Sequence, residues 1–265
     1  MKLPTLIALA AFAMAPLASA ETTAGAQGKA ATTDKALTAA VNGEWRSAKD
    51  KARDVYRHPA EALGFWGLKP GMTILEVQPG GGWWTEILAP YAKATGGKYY
   101  ATGADLANPE LSERARKGRA DFAARWAAKP DLYGTVGFVN WGPKSATPPA
   151  STFDFILTAR SVHNWMGTPG WVEKVFKDFY GALKPGGILA VEEHRANPGS
   201  PISMFENGYV TEAYVIEQAE KAGFKLVARS EINANPKDTK DHPFGVWTLP
   251  PVLTSVPEDS DKAED

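Results

Sequence analysis

The chain has 265 residues, 44% of them hydrophobic, with 29 basic against 30 acidic side chains and a formal charge of -1. That balance supplies no field for nucleic acid or for an anionic membrane surface. Cysteine is absent, which excludes disulfides, thiolate metal sites and a thiol nucleophile.

Residues 1–20 read as a secretory signal. Lys2 gives a basic start, residues 6–14 are apolar, and Ala18-Ser19-Ala20 is a small-residue cleavage site. The apolar run is too short for a stable span and no cysteine follows to carry a lipid, so the mature chain is expected in the periplasm or medium, free of membrane after cleavage. Residues 21–42, rich in Ala, Thr and Gly, read as a flexible leader. Residues 43–250 read as one domain, since about 245 residues after cleavage are ample for a single core. The acidic tail, 251–265, is expected to be disordered.

Within the domain, residues 43–67 have a helical pattern with Trp45, Ala48, Ala52, Val55 and Tyr56 on its apolar face, broken at His58-Pro59 and restarted by the proline. Lys69-Pro70-Gly71-Met72 turns the chain into a strand at 73–77. Next comes the stretch richest in information, Ile74-Leu75-Glu76-Val77-Gln78-Pro79-Gly80-Gly81-Gly82-Trp83-Trp84. A strand, a glycine turn and a helix at 84–92 follow one another, the arrangement that presents backbone N–H groups to a polar ligand. Glu76, just below the turn, is placed to orient its amides or meet a cationic group. Glycines also serve simply to tighten such a connection.

A second strand is expected at 98–102, a charged Ala-rich helix at 108–129 and a third strand at 136–140. A fourth strand at 153–159 follows a Pro-rich loop, and the amphipathic helix 171–183 leads through Lys184-Pro185-Gly186-Gly187 to a fifth at 188–191. After a helix at 211–222, strands at 224–232 and 244–249 complete the pattern. Strands alternating with helices imply βαβ crossovers and a mainly parallel, doubly wound sheet. The 233–243 connection is too short for a crossover, so the last of seven strands is expected antiparallel.

On these motifs the chain resembles class I S-adenosylmethionine-dependent methyltransferases over roughly residues 45–250, which implies a Rossmann-like fold and that cofactor. Glu76, Gly80 and Gly82 match the family's first motif, with Gln78 where its first glycine would stand. Residues 152–158 resemble its fourth strand, Leu183-Lys184-Pro185-Gly186-Gly187-Ile188-Leu189 its turn into strand five, and Ala222-Gly223-Phe224-Lys225-Leu226 its closing segment. Glu192-Glu193-His194-Arg195-Ala196 with Tyr209-Val210 is similar to a set of exported, uncharacterised predicted methyltransferases. The resemblance implies that Glu76, Gln78, Gly80 and Gly82 line the cofactor's methionine end. It makes Asp105 the acceptor for the ribose hydroxyls, or else a turn residue, and Asn140 and Trp141 the adenine neighbours, unless Trp141 is core.

Ligands in open α/β sheets bind at the carboxyl ends of the strands, which gathers Arg160, His163, Asn164 and residues 192–195 into one neighbourhood. Arg160 is assigned to the cofactor side. His163, His194 and Glu193 are the catalytic candidates, because transfer to oxygen or nitrogen often needs a base. A hydrogen-bonded structural histidine and an ion-pair network are the competing readings. The histidine and carboxylate spacing is too sparse for an assigned metal site. No Gly-x-Ser-x-Gly elbow is present, nor a Gly-x-Gly-x-x-Gly dinucleotide turn. The expected function is methyl transfer to a small molecule. A non-catalytic small-molecule-binding module of the same fold is the rival, because Gln78 alters the turn and an exported chain leaves the compartment that makes the cofactor.

Overall fold

A computed structural model describes residues 34–250 and 252–254. The signal segment 1–20 and the tail beyond 254 lie outside the described residues, as does most of the expected leader. Its last part is ordered. Asp34 caps a helix, α1 (Lys35–Val41), by accepting from the amides of Ala36 and Leu37, and its other carboxylate oxygen accepts from the Tyr91 hydroxyl at 2.7 Å. Residues 34–42, read from the sequence as part of the leader, are thus helical and packed.

The 43–67 segment is three short helices, α2 (Ala48–Lys51), α3 (Asp54–Arg57) and α4 (Pro59–Phe65). His58 adopts a left-handed φ of 39° ahead of Pro59, so the helical phase resets there. The predicted apolar face fails upstream of that reset, because Ala48 and Ala52 are exposed and the helix breaks between α2 and α3. Val55 and Tyr56 are 66% and 75% exposed, while Arg57 is buried at 7%.

Five strands form one sheet in the order β3-β2-β1-β4-β5, every neighbouring pair parallel. They are β1 (Thr73–Val77), β2 (Lys98–Gly103), β3 (Val136–Asn140), β4 (Phe153–Ala159) and β5 (Leu183–Glu192). The crossovers carry α5 (Thr85–Ala94), α6 (Glu113–Ala127), α7 (Pro130–Tyr133), α8 (Val162–Met166) and α9 (Trp171–Ala182). The order reverses between β1 and β4, where a doubly wound sheet opens its binding crevice. Alternate side chains of each central strand enter different cores. Ile74, Phe155 and Leu157 pack with α1, α4 and α5 on one face, whereas Leu75, Val77 and Ile156 pack with α8 and α9 on the other. Burial on both faces explains why these strands read as continuous apolar runs.

The two expected strands at 224–232 and 244–249 do not form, and among the described residues no antiparallel strand closes the sheet. After α10 (Glu212–Ala222) the chain runs irregularly, with Val227 95% exposed, and Gly245–Thr248 is a single 3₁₀ turn. Charged side chains dictate its course. Arg229 pairs with Glu212, and Glu231 with Arg195, which hold the segment against α10 and the exit of β5 rather than alongside β5. The fold is Rossmann-like with a five-stranded, wholly parallel sheet.

Candidate active site

The turn after β1 has two different halves. Gln78 takes a left-handed φ of 48°; its amide donates to Thr102 Oγ1 at 2.7 Å, and its side-chain oxygen accepts from the Trp165 indole at 2.9 Å. The side chain at the family's expected glycine position is thus tied to α8. A Cβ added to Gly80 would meet nothing within 4 Å, so the crest of the turn borders open space. Gly82 is the reverse: its Cβ would lie 2.3 Å from Trp126, a fully buried ring, making Gly82 a packing residue.

Beneath the turn Glu76 is 2% exposed and faces no open space. Its Oε2 accepts from Thr85 at 2.9 Å and Tyr99 at 2.5 Å. Burial pushes its pKa up to about 7 against the opposing pull of those hydroxyls. The carboxylate braces strand, turn and α5 from below.

At the neighbouring strand ends, Asp105 accepts from the amide of Ala107 at 2.9 Å and thereby forms a local turn, the alternative weighed for it. Arg119 of α6 lies over the Phe138 ring, 3.8 Å from its centroid, with Nη1 buried and unpartnered. Asn140 is exposed at the end of β3. Trp141 belongs to the core: it stacks on Phe179 with centroids 5.2 Å apart and touches Trp171 at 4.5 Å. That packing matches the core alternative weighed for it, and a sequence window cannot reveal it because α9 comes 30 residues later.

On the other side of the order reversal, the ends of β4 and β5 build a polar cluster. Glu193 accepts from the amides of Val162 at 2.7 Å and His194 at 2.8 Å, and meets His163 Nδ1 at 3.0 Å. A carboxylate on Nδ1 fixes the ring and favours the tautomer with its lone pair on Nε2, which makes no hydrogen bond among the described residues. The His194 ring is 6.3 Å from that of His163, and burial lowers its pKa to about 4, so it is neutral at pH 7. Residues 231–248 pack over this end: Trp247 meets the His163 ring edge-on at 5.8 Å, and Asp238 accepts from Tyr209 at 2.9 Å. Arg160, at a left-handed φ of 57°, donates its amide to the Glu192 carbonyl at 2.7 Å. Arg195 stands apart from the cluster, exposed and paired with Glu231, which answers to the ion-pair reading.

Sequence reasoning missed Arg57, Asn233 and Trp247. Arg57 carried a legible signal, a basic residue directly before a His-Pro break, but the assumed continuous helix turned it outward. Among the described residues, no group of three or more histidines and acids is arranged to hold a metal ion.

No family model and no curated protein matches the chain. Solved structures do. A SAM-dependent methyltransferase from Aquifex aeolicus is 22% identical, covering 67% of this chain and 85% of its own, at a TM-score of 0.47. A putative methyltransferase from Bacillus halodurans C-125 is 17% identical over 64% and 69%, at 0.45. An S-adenosylmethionine-dependent methyltransferase from Mesorhizobium loti is 21% identical over 64% and 82%, at 0.42.

Proposed function

We propose that the domain binds S-adenosylmethionine at the crest of the glycine turn and transfers its methyl group to a small molecule held at the ends of β4 and β5. The observation that carries this is the crest at Gly80, where an added Cβ would meet nothing within 4 Å, at the point where the strand order reverses and β1 neighbours β4. A backbone crest without side chains lets a ligand approach N–H groups closely, and the switch point is where such sheets bind ligands. Glycine-turn motifs alone support many ligands. The sequence resemblance selects this one.

In this reading, Gly80 and the adjoining amides hold the methionine end, and Asp105 and Asn140 contribute at the nucleoside end. Asp105 has one carboxylate oxygen left for a ribose hydroxyl after its turn bond. Glu76, Gln78 and Gly82 act through the turn, as brace, tether and packing surface. The cofactor would supply an electrophilic methyl on a sulfonium. His163 Nε2 would accept the proton that the acceptor loses, while Glu193, on Nδ1, would stabilise the imidazolium so formed. His194, neutral at pH 7, adds a second hydrogen-bonding ring without a charge opposing that imidazolium. Export to the periplasm or medium, with cleavage after Ala20, belongs to the same proposal and rests on residues 1–20.

Calorimetric titration of the chain from residue 21 onward with S-adenosylmethionine and S-adenosylhomocysteine tests the reading. Saturable heat with both is expected, and no heat with either at millimolar concentration overturns it. Binding with no turnover on any acceptor would leave the fold as a binding module.

A further inference from the structure

Three guanidinium groups surround the Trp83 ring, which directly follows the glycine turn. Those of Arg46, Arg53 and Arg57 lie 5.2, 5.9 and 4.6 Å from its centroid. Two are neutralised, Arg46 by Asp54 and Arg53 by Asp50. Arg57 has no ion pair among the described residues, although it is 7% exposed and its Nη1 is buried without a partner. Arg160 Nε and Glu192 Oε2 are buried and unpartnered as well. Geometry brings them together: Asn233 meets His58 Nδ1, next to Arg57, at 3.2 Å and also reaches the Glu192 carboxylate, while the Arg160 amide donates to the Glu192 carbonyl at 2.7 Å. Burial, then Arg160, depresses Arg57 to about 9, while burial raises Glu192 against the pull of Arg160 and Arg57. Asn233 donates to the other Glu192 oxygen at 3.3 Å, so only Oε2 is left open.

Arg57 Nη1, Arg160 Nε and Glu192 Oε2 are thus three buried polar atoms without partners, and neither Glu192 nor its neighbour Glu193 forms a salt bridge with either guanidinium among the described residues. Such an arrangement is costly unless something completes it. Guanidinium N–H groups match the geometry of an oxyanion, and a neighbouring acceptor oxygen matches a hydroxyl or amine on the same molecule. We propose that Arg57 and Arg160 bind the oxyanion of the methyl acceptor, a small organic acid, and that Glu192 accepts a hydrogen bond from a donor on that molecule. This deepens the methyl-transfer reading and rests on its placing the acceptor at the ends of β4 and β5. It makes Arg57 a specificity residue contributed by the helices before the sheet.

The test uses the mature protein with acetate, inorganic phosphate and, as the neutral control, acetamide, at ionic strength matched with chloride. Melting temperature and tryptophan fluorescence are the readouts. Acetate or phosphate should raise the melting temperature saturably and perturb the fluorescence of Trp83, and acetamide should not. Arg57→Met and Arg160→Lys should each weaken the oxyanion at least tenfold. Ligand-free Arg57→Met should melt as high as the wild type or higher, because an unpaired buried charge has been removed. The proposal fails if the oxyanions act no differently from chloride, if both variants keep the response, or if Arg57→Met melts lower with its oxyanion response intact. S-adenosylmethionine titrated into the same samples separates the two readings. Heat retained without an oxyanion response overturns this inference alone, and an oxyanion response without that heat overturns methyl transfer alone.

Discussion

Replacing Glu76 by glutamine should change how stability depends on pH, with a predictable sign. The folded carboxyl titrates near 7 where an ordinary glutamate titrates at 4.5, because burial disfavours the anion more than Thr85 and Tyr99 favour it. Between those values the folded chain keeps a proton that the unfolded chain has released. Stability therefore falls as pH rises through that window, and the deficit is complete above pH 7. The gap is worth about 3 kcal/mol, or about 6–12 °C in melting temperature for a domain of this size. Glutamine keeps an acceptor for both hydroxyls and does not titrate. Any cost of its buried amide is independent of pH and shifts the whole curve equally. His194 titrates in both proteins and cancels in the difference. Urea unfolding followed by tryptophan fluorescence, from about pH 5 to pH 8.5, measures that difference. The wild type should lose ground to Glu76→Gln steadily as pH rises. A difference constant within about 0.5 kcal/mol, or one moving in favour of the wild type, would refute the buried-anion account.

The glycine turn separates binding from packing. Gly80→Val should abolish cofactor heat, its loss of melting temperature coming from strain at a φ of 55° with no clash, whereas Gly82→Ala, forced against Trp126 at a φ of 86°, should destabilise by about 2–4 kcal/mol in a denaturant melt. His194, with its pKa lowered from 6.5 to about 4, binds its proton more weakly when folded. Its contribution is complete above pH 6.5 and is lost as pH falls towards 4, so His194→Gln should flatten the acid limb of the stability curve. Glu193→Gln turns an NH₂ group towards amide donors and should cost about 2–4 kcal/mol in unfolding free energy. His163→Gln should instead melt within a few degrees of wild type with normal cofactor affinity, yet lose turnover by about 100-fold or more. Equal turnover would remove His163 from the mechanism.

The sequence by itself determined the alternation of strands and helices, because continuous apolar runs such as 153–159 and the one-sided face of 171–183 are written in local spacing. The glycine turn, the Glu76 brace point and the polar identity of residues 160–163 and 192–194 were equally legible, being consecutive in the chain. Only the tertiary structure decided what each of these residues faces. Gly80 borders open space and Gly82 meets Trp126, a distinction set by α6, more than 30 residues away. Trp141 became core because α9 covers it, and Arg57 turned inward because the chain breaks between α2 and α3 and restarts the helical phase at Asp54. The two absent strands show the same limit: the pattern over 224–232 suits a strand, but Arg229 and Glu231 find their partners off the sheet. Local periodicity fixes an element's faces, whereas contacts between distant segments choose which face is buried and which buried charge is left without a partner.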